Sequence, residues 1–231
     1  MSTTMRFTNT SFVTFIVGKD RTTFQAHESV IFQKSPVFRT AFNSMFKEGR
    51  ERTMTLPDED PECFNSFLEC LYKEYFDYHM LFSGNTEDMQ NCLMRCAQLF
   101  VLADKYDVES LKANICGNLF SLAKRQPHGN YVRHHGIEVL LPSSEVIAYI
   151  YDHTNRGSPL RKTVADWYAW ASQPYEFDER FGSHFEWLYD IPDFGVDVAL
   201  MLRSGDRSDG FLREFFGMEE EDYCKSIFKE A

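Results

Sequence analysis

Between Val30 and Phe46 the sequence reads VIFQKSPVFRTAFNSMF, an apolar run broken at its middle by Ser35-Pro36. Proline has no amide hydrogen and a fixed φ. It disrupts a helix interior but suits the first helical position behind a capping serine. The run therefore cannot be one helix and must be two short ones meeting at a corner. The first holds Val30, Ile31 and Phe32, with Ser29 as its cap. The second starts at Pro36 with Ser35 as its cap. Phe38, Ala41, Phe42 and Met45 then share one face, and Gly49 suits the end. Asp60-Pro61 repeats the device ahead of Phe64, Phe67, Leu68 and Leu71, an i, i+3, i+4, i+7 stripe. Ser158-Pro159 repeats it again.

Around these helix starts the chain is easily parsed. Phe12–Val17 reads FVTFIV, then a Gly-Lys-Asp-Arg turn, then a second short strand over 22–26, so 12–26 predicts a β-hairpin. Thr53–Leu56 reads as a short strand. Helices are predicted at 86–105, with Met89, Leu93, Ala97, Phe100 and Ala103 facing in, and at 108–124, with Leu111, Ile115, Leu119 and Leu122. Residues 126–143 carry Pro127, Gly129, Gly136 and Pro142 and predict a connecting loop, with room for a short strand at 137–141. Helical stretches follow at about 144–153, 159–172 and 194–203. The segment from Met218 predicts a short acidic helix or a frayed tail.

Composition narrows the function classes. Lys plus Arg number 24 and Asp plus Glu 35, a net charge of −11. Such a surface repels nucleic acid and anionic membrane. The opening MSTTMRFTNTSF has no apolar core of signal-peptide length, and no apolar run approaches a membrane span. The expectation is an intracellular protein of the cytoplasm or nucleus with reduced thiols. Cys92 and Cys96 lie i, i+4 on an apolar helix face, as do Cys63 and Cys70 beside theirs, so buried free thiols are expected rather than a metal site. His128, His134 and His135 read as a solvated loop. No phosphate-cradling loop, G-x-S-x-G elbow or H-E-x-x-H occurs, so no catalytic residue, metal or cofactor is assigned. His27, following a strand, is read as a partly buried hydrogen-bonding residue.

The ordered set Phe15-Ile16-Val17, Phe24-Gln25-Ala26-His27, Ser35-Pro36-Val37-Phe38, Phe46-Lys47-Glu48-Gly49, Thr55-Leu56-Pro57-Asp58, Phe64 to Tyr72 and Leu102-Ala103-Asp104-Lys105-Tyr106 resembles a BTB/POZ domain. The resemblance implies an α+β fold, a small β-sheet with a cluster of α-helices, over residues 10–125. A connecting loop, 126–143, and a helical region, 144–231, would follow. That region is similar to the one behind the domain in short fungal BTB proteins, through Val146-Ile147, Tyr149-Ile150-Tyr151 and Ser158-Pro159-Leu160-Arg161. The resemblance further implies a non-catalytic protein-interaction module, with a cullin or a second copy of the chain as partner.

In cullin-binding members a hydrophobic-x-Glu motif follows the second short helix, and Phe46-Lys47-Glu48 occupies that place. Phe46 and Glu48, with Phe42 and Tyr75, are the candidate partner-binding residues. The plainer alternative has Phe46 closing its own helix and Glu48 solvated. The aromatics of 75–82, and Trp167, Tyr168, Trp170, Phe185, Trp187 and Tyr189, either pack the two halves together or line a partner groove. Three functions are carried forward: an adaptor linking a client to a cullin-RING ubiquitin ligase, an oligomerisation scaffold without a ubiquitin link, and an unrecognised enzyme.

Overall fold

The computed structural model describes residues 11–76, 86–125, 141–171, 190–204 and 218–229. By its internal contacts the chain divides into two compact units, Met1–Phe76 with Gln98–Lys112 and Asp77–Ala97 with Ala113–Ala231.

The first unit is built on the predicted hairpin. Strands β1 (Phe12–Val17) and β2 (Thr22–His27) pair antiparallel, with Phe15 opposite Phe24. Strand β3 (Thr53–Leu56) joins β1 in parallel, with Phe15 opposite Met54, giving the order β2-β1-β3. Alternate residues of β1, Val13, Phe15 and Val17, are buried, so the β-period delivers one face to a core. Gly18 turns the chain out of β1 at φ +73°, and a Cβ there would lie 2.9 Å from Pro61. Only glycine satisfies both demands.

The corner at Ser35-Pro36 is as read. Ser35 sits between α1 (Glu28–Lys34) and α2 (Pro36–Phe42). Its hydroxyl accepts the Phe38 N–H at 3.1 Å and donates to the Tyr106 carbonyl at 2.5 Å. Ser29 is not the cap of α1. It lies inside the helix, and the N-cap is His27, whose side chain makes no capping bond. Helix α2 also stops sooner than its stripe suggests. It ends at Phe42, and a separate short helix α3 (Lys47–Glu51) follows. Met45 is not on the inner face, and Gly49 lies within α3 rather than ending α2.

Helix α4 (Pro61–Lys73) starts at the predicted cap, where the Asp60 carboxylate accepts the Cys63 N–H at 2.7 Å. Its stripe of Phe64, Phe67, Leu68 and Leu71 is buried. The centre of this core is aromatic. Phe15 meets Phe38 at 5.1 Å, Phe64 at 5.2 Å and Phe42 at 5.7 Å, and Tyr106 stacks on Phe38 at 4.4 Å. Such edge-on and offset pairs add to what burial alone supplies.

Among the described residues the remaining helices are α5 (Thr86–Lys105), α6 (Glu109–Arg125), α7 (Ser144–His153), α8 (Pro159–Ala171), α9 (Pro192–Ser204) and α10 (Glu220–Lys229). Of the inward candidates on α5 and α6, Met89 and Leu122 are only half-buried. Of the loop predicted at 126–143, residues 126–140 lie outside the described residues, as does the candidate strand except for Leu141, which is not in a strand. The histidines His128, His134 and His135 lie outside them too.

In the second unit α8 packs on α7, α9 and α10. Arg161 of α8 lies 4.3 Å from the centre of the Tyr151 ring and donates to the Tyr151 carbonyl at 2.6 Å and the Thr154 hydroxyl at 3.0 Å. Together with a bond to the Thr154 carbonyl, this satisfies carbonyls left open where α7 ends. Helix α10 is held by Tyr223, whose ring stacks on Phe120 at 4.1 Å and whose hydroxyl donates to Asp166 at 2.9 Å. Trp167 and Tyr168 are buried in this unit; Phe185, Trp187 and Tyr189 lie outside the described residues. Ser158 does not repeat what Ser35 does: its buried hydroxyl finds no hydrogen-bond partner among the described residues.

Candidate functional site

The turn between α2 and α3 is closed by small polar contacts. The Ser44 hydroxyl donates to the Ala41 carbonyl at 2.6 Å and accepts the Phe46 N–H at 3.3 Å. Gly49 comes so close that a Cβ on it would lie 2.0 Å from the Ser44 carbonyl oxygen. The chain therefore folds tightly back on itself, and the two residues at the bend are pushed outward. Met45 is 92% exposed and Phe46 74%.

Phe46 is the N-cap of α3, in extended conformation, and Glu48 lies half-buried in that helix's first turn. A carboxylate there suits the helix dipole. Phe46 does not close the end of a helix against a core. Met45 and Phe46 make an apolar knuckle, with Lys47 and Glu48 behind it.

Phe42 is not part of that surface. It is 1% exposed, packed between Phe15 and Phe32, and it supports the turn from beneath. Tyr75 is half exposed, just past the left-handed Glu74 that caps α4. Lys34 holds that cap through a 2.7 Å ion pair with Glu74. Since α3 packs on α2 and β3 while α4 packs on α1 and β2, Phe46 and Tyr75 belong to different neighbourhoods.

A second exposed group is aromatic. His27 accepts or donates at Nδ1 to the Tyr72 hydroxyl at 2.8 Å, and its backbone N–H donates to the same oxygen at 2.8 Å. Phe12 lies 4.6 Å from the His27 ring. Phe12 is 45% and Tyr72 38% exposed. His27 is thus the partly buried hydrogen-bonding residue expected of it.

Lys34, Cys70, Glu74 and Leu111 are among the residues lining a shallow, open surface hollow with no room for a small-molecule ligand. Burial, with the charge of Glu69 beside it, pushes the Cys70 thiol up to about 12, so it stays protonated and is a poor nucleophile. Cys92 is shifted the other way by its hydrogen bond with Cys96, but both thiols are buried. Among the described residues no group of three or more His, Cys, Asp or Glu is placed to hold a metal ion. No described helix is long and apolar enough to cross a membrane.

The sequence pattern puts Met45 on the inner face of α2, and the structure turns it outward beside Phe46. The polar pair Asn43-Ser44 was the signal available for the turn. Arg52, whose guanidinium donates to the Phe42 carbonyl and pairs with Glu28, carries no local sequence signal, because those partners are distant in the chain.

A family model described as BTB/POZ domain matches residues 4–119, half of the chain. The matched span contains the three-stranded sheet, the Ser35 corner, the knuckle and the stripe of α4. The fold class read from the ordered motifs, α+β with a small sheet and a cluster of helices, is the one observed. The chain belongs to the BTB/POZ domain family, whose domains serve as protein–protein interaction modules.

Proposed function

We propose that the chain is a non-catalytic adaptor that docks a cullin through the Met45–Phe46 knuckle and Glu48, while residues 144–231 engage a client for ubiquitination. The observation that carries this reading is the exposure of two adjacent large apolar side chains on a tightly braced turn. A rigid apolar anchor flanked by a charge is the usual form of an interface hot spot. Bracing also lowers the entropy lost on docking. Phe42 then acts as support rather than contact, and Tyr75 would touch the partner only if the interface extends to the end of α4. The reading places the protein in the cytoplasm or nucleus, where cullins work. Titrating the full chain into a fluorescently labelled cullin amino-terminal domain tests it. Saturation below tens of micromolar supports the adaptor, and no signal there removes the cullin.

The exposed Phe12–His27–Tyr72 group favours a second reading, self-association without a ubiquitin link. It predicts a dimer or larger assembly in light scattering that Phe46→Ala leaves intact. A strict monomer contradicts it.

A further inference from the structure

One side chain closes the neck beneath the knuckle. Residues 43–51 leave the core at the end of α2 and return at Arg52. The Arg52 Nη1 donates to the carbonyl of Phe42, the last residue of α2, at 2.9 Å. Its Nη2 pairs with Glu28, the first residue of α1. The guanidinium carbon lies 5.5 Å from the centre of the Phe32 ring and 5.9 Å from that of Phe42. The Arg52 carbonyl accepts the Thr14 N–H at 2.9 Å, which ties the start of β3 to β1. Arg52 does this at φ +51°, as the left-handed cap of α3, where glycine or asparagine would fit with less strain. A non-glycine residue held in that region invites a functional explanation.

We propose that Arg52 is the positioning residue of the knuckle: it clamps the two feet of the 43–51 excursion so that Met45 and Phe46 stay turned outward in one arrangement. The role rests on the docking reading above for its purpose but not for its geometry. One foot is Arg52 itself; its side chain must donate at once to the Phe42 carbonyl at the other foot and to the Glu28 carboxylate that anchors it to α1, and the planar fork of a guanidinium supplies two donors in fixed directions. A lysine ammonium, a point charge on a flexible stem, cannot reproduce this.

The test is native-state proteolysis of the full chain, with fragments identified by mass. Chymotrypsin cuts after exposed aromatics, so the ratio of cleavage after Phe46 to cleavage after Tyr75 separates local loosening from global unfolding. Arg52→Gln is expected to raise that ratio about tenfold, and Arg52→Lys by less. Glu28→Gln, which leaves the bond to the Phe42 carbonyl, should raise it least. Lys34→Gln, which breaks the ion pair at Glu74, should not raise it. An unchanged ratio in Arg52→Gln, with both cuts accelerating together, overturns the proposal. If Arg52→Gln does not fold, Arg52→Lys decides by the same ratio. No partner is needed, so the two ideas fail separately. A clamp that loosens in a chain that binds no cullin removes the docking reading alone. A ratio that does not move in a chain that does bind removes the clamp alone.

Discussion

Phe42 and Phe46 are four positions apart and of one type, yet one lies in the aromatic core and the other in solvent. Their substitutions should separate cleanly. Phe42→Ala empties space beside Phe15 and Phe32 and is expected to cost about 3–5 kcal/mol of folding stability. Phe46→Ala should stay within about 0.5 kcal/mol of wild type. Urea midpoints of both variants at unchanged m check this. Gly49→Ala is the third probe. Its Cβ would meet the backbone carbonyl of Ser44, which cannot rotate away as a side-chain tip could, so a loss of about 1–3 kcal/mol is expected. The position of Met45 was not legible for a specific reason. It continues the i, i+3, i+4, i+7 stripe of Phe38, Ala41 and Phe42, and periodicity alone cannot see that the helix has already stopped. What stops it is the Ser44 hydroxyl taking the Ala41 carbonyl, together with Gly49 closing on Ser44.

At the scale of elements, two Ser-Pro pairs that look alike in sequence do different work. Both prolines begin helices, which their fixed φ makes readable. Ser35, however, caps its helix and also donates to the buried Tyr106 carbonyl, a contact across residues far apart in the chain. Ser35→Ala loses both bonds and should cost about 1–3 kcal/mol. Ser158→Ala removes a buried hydroxyl that finds no partner among the described residues, and should leave the midpoint unchanged or slightly raised, within about 0.5 kcal/mol. Equal losses in paired urea melts would contradict the distinction. Element starts were legible because capping and proline act locally. The fate of each hydroxyl was not, because it depends on what another part of the chain brings to it.

Over the whole molecule, several acidic groups share one shift. Burial, with Glu59 close by, raises the Tyr106 hydroxyl, and burial raises those of Tyr151, Tyr168 and Tyr223, while Cys70 goes from 9.0 to about 12. A raised folded value means that the unfolded chain releases these protons first. The stability they carry is full below pH 9 and falls as pH rises from there toward 12. Denaturant midpoints should therefore hold between pH 7 and 8.5 and decline above pH 9, with Tyr106 and Cys70 acting in the first unit and the other three tyrosines in the second. A midpoint that rises through this range would contradict the burial of these groups. The proposed docking at the knuckle is tested most directly by one comparison: calorimetric binding of the full chain to a cullin amino-terminal domain, with wild type, Phe46→Ala and Glu48→Ala side by side. Docking at the knuckle predicts that Phe46→Ala loses about 2 kcal/mol of binding, roughly thirtyfold, and Glu48→Ala a smaller amount, with folding unaffected. Binding that both variants keep in full would show that the partner sits elsewhere on the molecule.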